Sequence, residues 1–215
     1  MTTLVIVRHG HTAFNKGGPQ HDQFRGISDI PLDERGLREA GITAAAIAAR
    51  WKPSALYSSA LPRAMTTARV IAKPFGLSVV PEPSLLDINY GEIEWTGLTV
   101  EEARPRWPEL VDTWLNAPGR FRAPGGDSMQ GIRRRAVHAV KRIATKHDNE
   151  TIVLVSHALV IRLILLGIMG LPTDDFWRIR QDTCAINVLQ QENGVFCLAL
   201  VNDSCHIREA QQQTP

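Results

Sequence analysis

The chain has 215 residues, 44% hydrophobic and 21% charged, with a formal net charge of +2. That balance predicts a globular protein whose length suffices for one large domain with a well-buried core, and no linker divides it. So small a charge gives no ground for a nucleic-acid or membrane partner. The densest basic cluster, Arg133-Arg134-Arg135, lies in a helical pattern and reads as a solvated face. The start, Met-Thr-Thr, lacks the basic opening of a signal peptide. The apolar stretch 158–171 is interrupted by Arg162 and is too short to span a bilayer. Three cysteines, Cys184, Cys197 and Cys205, show no metal spacing and suit a reducing compartment, so a cytoplasmic location is expected.

Residues 4–7 are a short apolar run, mostly β-branched, and predict a buried parallel strand. A loop rich in Gly, His, Asn and Pro follows, with Gly17-Gly18-Pro19 inside it. A helix then opens at 31–36, with Asp33 as its N-cap, and ends before Pro53. Residues 55–57 and 77–80 read as strands, with a helix at 62–72 between them. From 85 to 128 the regular pattern gives way to Gly, Pro and Trp, including Trp95, Trp107 and Trp114. This stretch is expected to be a helical insertion over one end of the sheet, its tryptophans either core or stacking platforms. A helix at 129–147, a strand at 151–155 and an apolar helix at 160–169 come next. Two strands, 185–190 and 195–201, are joined at Asn193-Gly194. Strands alternating with helices predict an α/β three-layer sandwich, a mostly parallel sheet with helices on both faces, in a single domain over 1–215.

Two histidines stand at the same kind of place. Leu-Val-Ile-Val runs into Arg8-His9-Gly10, and Ile-Val-Leu-Val runs into Ser156-His157. Open α/β sheets bind ligands at the carboxyl ends of their strands, so both histidines face one crevice if these strands are neighbours. A third strand end delivers Ser58-Ser59 and then Arg63, and residues 86–91 bring Asp87 beside a turn. A neutral imidazole can attack phosphorus, and guanidinium forks match phosphate oxygens. An acid can protonate a leaving alcohol and then activate water. No His-x-Glu-x-x-His or Cys-pair spacing supports a metal, and no Gly-x-Gly-x-x-Gly follows the first strand.

Arg8-His9-Gly10-His11-Thr12 with Asn15 resembles the signature of the histidine phosphatase superfamily, which includes the cofactor-dependent phosphoglycerate mutases. The resemblance continues through residues 25–32, through 57–64 with Thr66-Thr67-Ala68, and through 155–158 with Arg162, in the family's order. It implies that His9 is the nucleophile, that Arg8, Asn15, Arg63 and His157 bind the phosphoryl group, and that Asp87 stands at the acid's position. That position is usually Glu, and the segment after Gly91 is longer than usual, so Glu92 and Glu94 compete with Asp87. Further candidates are open between two roles: Ser58 as phosphate contact or helix cap, Arg25 as substrate contact or loop support, and His206 as pocket residue or free tail. Gly26 and Tyr90 complete the candidate substrate site.

The expected activity is a metal-independent phosphatase acting on a small phosphorylated metabolite, with no cofactor. The rivals are a phosphoglycerate mutase, which Arg25 before Gly26 and the compact insertion disfavour, and a non-enzymatic phospho-ligand binder. A homodimer through the apolar helix and the late strands is left open against a core role for both.

Overall fold

The computed structural model describes residues 1–17 and 21–212, so Gly18 and Pro19 of the predicted loop lie outside the described residues. Six strands form one sheet in the order β3-β2-β4-β1-β5-β6. They are β1 (Thr2–Arg8), β2 (Ala55–Ser58), β3 (Val79–Pro81), β4 (Thr151–Ser156), β5 (Ile186–Glu192) and β6 (Val195–Asp203). The four strands from β3 to β1 run parallel, and β5 and β6 are antiparallel. The mixed α/β sheet expected from the sequence is therefore present, with its two antiparallel strands along one edge. Asn193 and Gly194, both in the left-handed region, make the two-residue turn of the β5–β6 hairpin.

Helices cover both faces. On one lie α1 (Glu34–Arg50) and α2 (Pro62–Ala72), where Ala44, Ile47, Ala64, Ala68 and Ile71 meet Val5, Val7, Val153 and Val155. On the other, α5 (Met129–Lys146) and α6 (Ala158–Ile168) pack against Leu4, Ile6, Ile152 and Leu154. Successive strand side chains point to opposite faces, so the centres of β1 and β4, residues 4–7 and 152–155, are apolar at every position.

Between β3 and α5 the chain forms two short helices, α3 (Val100–Ala103) and α4 (Pro108–Asn116), separated by turns. Trp95 is fully buried there, stacked on Phe24 with ring centroids 4.5 Å apart and edge-on to Trp114 at 5.8 Å. Trp95 is core; Trp114 is core on one side and cavity wall on the other. A final helix, α7 (Cys205–Gln212), packs on α1; no helix was expected there, because its segment is short and polar. No helix among the described residues is long and apolar enough to cross a membrane.

The start of α1 is pressed against the loop after β1. Asp33 caps the helix, accepting from the Gly36 N–H at 2.8 Å. A Cβ on Gly10 would sit 2.6 Å from the Gly36 carbonyl oxygen, and one on Gly36 would collide with the backbone of His11. Two glycines back to back are what let the helix approach so closely.

Candidate active site

The parallel register of β1 and β4 pairs Arg8 with Ser156, which places His9 and His157 side by side just beyond the strand ends. Their ring centroids are 5.3 Å apart and both rings are buried. The adjacency that the sequence left conditional is thus present. A cavity of about 800 Å³ opens beside His9, lined among others by Arg8, Asn15, Arg25, Gly26, Asp87 and Tyr90. That is within the range of small-molecule sites and larger than inorganic phosphate alone requires.

His9 Nδ1 lies 2.7 Å from the Gly10 carbonyl oxygen. A carbonyl only accepts, so Nδ1 carries the proton and Nε2 keeps its lone pair. Burial, and then the positive charges of Arg63 and Arg8, hold the His9 pKa well below the ordinary histidine value of 6.5. The ring is neutral at pH 7 and its free nitrogen is a nucleophile. His157 is held neutral in the same way, by burial first and then by Arg63 and Arg25. Its Nε2 is 2.8 Å from Ser59 Oγ and its Nδ1 is 3.6 Å from Asp87 Oδ2. His157 is also the N-cap residue of α6, whose partial positive end adds to the local field.

Backbone carbonyls hold the arginines. Arg8 donates to the Gln181 carbonyl at 2.7 Å. Arg63, fully buried, donates to the carbonyls of Gly26 at 2.6 Å and Ser28 at 2.8 Å, and to Asp87 Oδ2 at 3.1 Å. Gly26 is required as well as lining: it has φ +46°, and a Cβ there would lie 2.6 Å from the Ile88 carbonyl oxygen and 2.9 Å from the Tyr90 ring. Of the buried side-chain nitrogens without a partner among the described residues, three belong to residues grouped here: Arg8 Nε, Arg63 Nε and His157 Nδ1; the others are Trp95 Nε1 and His206 Nδ1. Leaving such groups unpaired is costly, and an anionic ligand is one means of satisfying an N–H among them.

Asn15 accepts from Arg25 at 3.1 Å and donates to Asp22 at 2.9 Å. Arg25 also donates to Thr12, so it supports the loop and lines the cavity at once. Burial, then repulsion from Arg8, lowers the Arg25 pKa to about 10. Asp87 is buried at the cavity edge, its Oδ1 accepting from the Ile88 N–H. Glu92 and Glu94 are exposed and outside the lining, with Glu94 paired to Arg106 at 2.8 Å. Of the three competing acids only Asp87 can meet a ligand beside His9.

Two candidates stand elsewhere. Ser58 ends β2 with its hydroxyl donating to the Ser59 carbonyl, outside the cavity lining, and α2 has no side-chain cap, so neither role expected for Ser58 is filled. The adjacent Ser59 makes the contact to His157 instead. His206 sits on α7 with Nε2 3.0 Å from Thr43 Oγ1, away from the cavity; its helix neighbours Ile207 and Arg208 line the rim. Sequence reasoning missed the segment between α6 and β5, where Phe176, Trp177, Arg180, Gln181 and Asp182 form one wall. Its only signal was a run of aromatic and charged residues in a loop. Among the described residues no group of three or more His, Cys, Asp or Glu side chains is arranged to hold a metal ion.

A neutral histidine at a strand end, with buried guanidinium groups close by, is an arrangement chemically able to receive a phosphoryl group. The chain belongs to the histidine phosphatase superfamily, branch 1, which it matches over residues 4–204. It is 29% identical over 209 residues to phosphoserine phosphatase 1 of Hydrogenobacter thermophilus, covering 97% of this chain and 96% of that protein. It is 34% identical over 170 residues to the metal-independent phosphoserine phosphatase of Arabidopsis thaliana, covering 78% of this chain and 69% of that protein. A mutant phosphoserine phosphatase from Entamoeba histolytica, solved in complex with phosphoserine, superposes with a TM-score of 0.82 at 25% identity, over 96% of this chain and 100% of that one.

Proposed function

We propose that this protein is a phosphatase that hydrolyses a small-molecule phosphate monoester through a phosphohistidine on His9, without a metal ion. The observation that carries the reading is the neutral His9, with its lone pair on Nε2, grouped with Arg8, Arg63 and His157, each of which has a buried nitrogen without a partner among the described residues. In the first step His9 Nε2 attacks phosphorus and the bond from phosphorus to the alcohol oxygen breaks. Arg8, Arg63, His157 and Asn15 take up the charge on the equatorial oxygens. Asp87 gives a proton to the departing alkoxide. In the second step Asp87 takes a proton from water, the water oxygen attacks phosphorus, and the N–P bond breaks to release inorganic phosphate and neutral His9. Guanidinium and imidazole donors thereby do the charge stabilisation that a metal supplies in other phosphatases. The phosphatase names of the relatives, one of them called metal-independent, support the reading.

The test is a panel of phosphorylated metabolites assayed for inorganic phosphate in the presence of a chelator. Steady phosphate release is expected, with an acid-labile, base-stable adduct on His9 after a rapid quench. Efficient formation of 2-phosphoglycerate from 3-phosphoglycerate with little free phosphate would make it a mutase instead. No turnover of any monoester would leave a phospho-ligand binding module.

A further inference from the structure

Arg162 is a buried cation that the reaction above does not use. It stands on α6, has only 7% of its surface exposed, and lines the cavity. Its Nε donates to the Ile179 carbonyl at 2.6 Å, and its guanidinium carbon lies 5.0 Å from the Phe176 ring centroid and 5.2 Å from that of Trp177. Among the described residues no carboxylate is within ion-pair distance of it. The two acids whose charge it feels are engaged elsewhere: Asp182 with Arg180, Asn202 and Ser204, and Asp22 with Asn15 and Lys16.

The charged side chains that press hardest on His9 are Arg63, Arg8 and Arg25. Arg162 stands outside that set and feels Arg8 alone among them. Arg162 lines the cavity beside Phe176 and Trp177, on the wall formed by α6 and the segment that follows it, and so charges a part of the cavity that the phosphoryl-binding residues do not occupy. With Nε committed to a backbone carbonyl, the edge formed by its two terminal nitrogens remains as a planar fork, which matches one carboxylate end-on. A second phosphate would call for further buried cations, and the side chains packed on the Arg162 guanidinium, Phe176 and Trp177, are aromatic.

Building on the phosphatase reading, we infer that Arg162 is the specificity-determining residue, and that it binds a carboxylate carried by the leaving group of the substrate. The substrates are small phosphorylated carboxylic acids, and Phe176 and Trp177 set the fork's angle.

Two matched pairs test this: O-phosphoserine against phosphoethanolamine, and 3-phosphoglycerate against glycerol 3-phosphate. Within each pair the carboxylate is the main difference. A charge-assisted hydrogen-bonded pair should give the carboxylate-bearing member about a 10- to 100-fold advantage in kcat/KM. Arg162→Met should shrink that ratio to within about threefold, and Arg162→Lys, which keeps the stem and charge but loses the fork, should leave an intermediate ratio. A wild-type enzyme indifferent to the carboxylate, or a preference that survives in either variant at full strength, overturns the inference. Because Arg162→Met removes a buried contact, melting curves accompany it, and the lysine variant and the wild-type ratios decide the matter if it does not fold. Calorimetric titration of the His9→Ala protein with the same four compounds separates this inference from the phosphatase reading. A carboxylate preference in binding without turnover in the wild type would break only the latter. Turnover without a preference would break only the former.

Discussion

The two ends of the cavity are built on different plans. At the phosphoryl end, His9, Arg8, Arg63 and His157 sit on or just beyond strands and helix starts, nearly all sealed from solvent. His9, Arg8 and Arg63 are each tied to a backbone carbonyl. At the far end the wall comes from the 3-10 turn Thr173–Arg178, the loop into β5 and the start of α7. Arg180 in that wall is 79% exposed and pairs with the neighbouring Asp182. The residues around His9 rest on elements that cannot shift without breaking the sheet, while much of the far wall rests on turns and loops that can, with Arg162 on α6 the exception.

If that contrast is real, substitutions at the first end should be severe and those at the second mild or substrate-dependent. His9→Ala should abolish turnover, with a loss on the order of 10⁴-fold or more, as when other covalent nucleophiles are removed. Residual activity near wild type would put the nucleophile elsewhere. Asp87→Asn should cost about 10²–10⁴-fold on an alkyl phosphate and far less on p-nitrophenyl phosphate, whose leaving group needs no proton. Equal losses on both, with Glu92→Gln showing the dependence instead, would reassign the acid. Ser59→Ala should lower kcat about 2- to 10-fold, the worth of one neutral hydrogen bond to the His157 ring, and should be neutral if Ser59 only fills space. Arg180→Ala at the exposed rim should change kcat/KM by no more than about threefold, because surface pairs contribute little.

The depressed histidines make a separate statement about pH. With the His9 pKa held below 6.5, the acid limb of kcat/KM should lie below that of an ordinary histidine. The same shift has a stability counterpart. In the unfolded chain His9 and His157 bind protons near pH 6.5, whereas in the folded protein they do so only at lower pH. Their contribution is fully present above that value and drains away as pH falls from 6.5 toward the depressed folded values. Melting temperatures measured from pH 7.5 to 5 should show the decline, and its slope should lessen in His157→Gln.

Much of this architecture was legible because it follows from periodicity. Apolar runs at β1 and β4 can only be buried on both faces, so the residues after them had to emerge at one edge of the sheet. The Asn-Gly turn and the Asp33 cap were readable for equally local reasons. What escaped depends on contacts distant in sequence. The choice between Ser58 and Ser59 is a matter of strand phase at the point where β2 ends, which pattern alone does not fix. The standing of Asp87 against Glu92 depends on how the chain turns at Gly91, with φ +58°. The wall at Phe176 and Trp177 has no periodicity to betray it, and α7 is held by α1 across more than 150 residues of chain.

The contact between Gly10 and Gly36 restricts how this sequence can drift. Most tight contacts can be relieved from either side, since enlarging one residue is forgiven when its partner shrinks. Here both partners already have nothing left to lose, so a side chain gained at either position meets backbone that no second substitution can trim. The loop bearing the nucleophile and the helix braced against it are thus locked by an absence of atoms, and no neutral single step leads away from that pair.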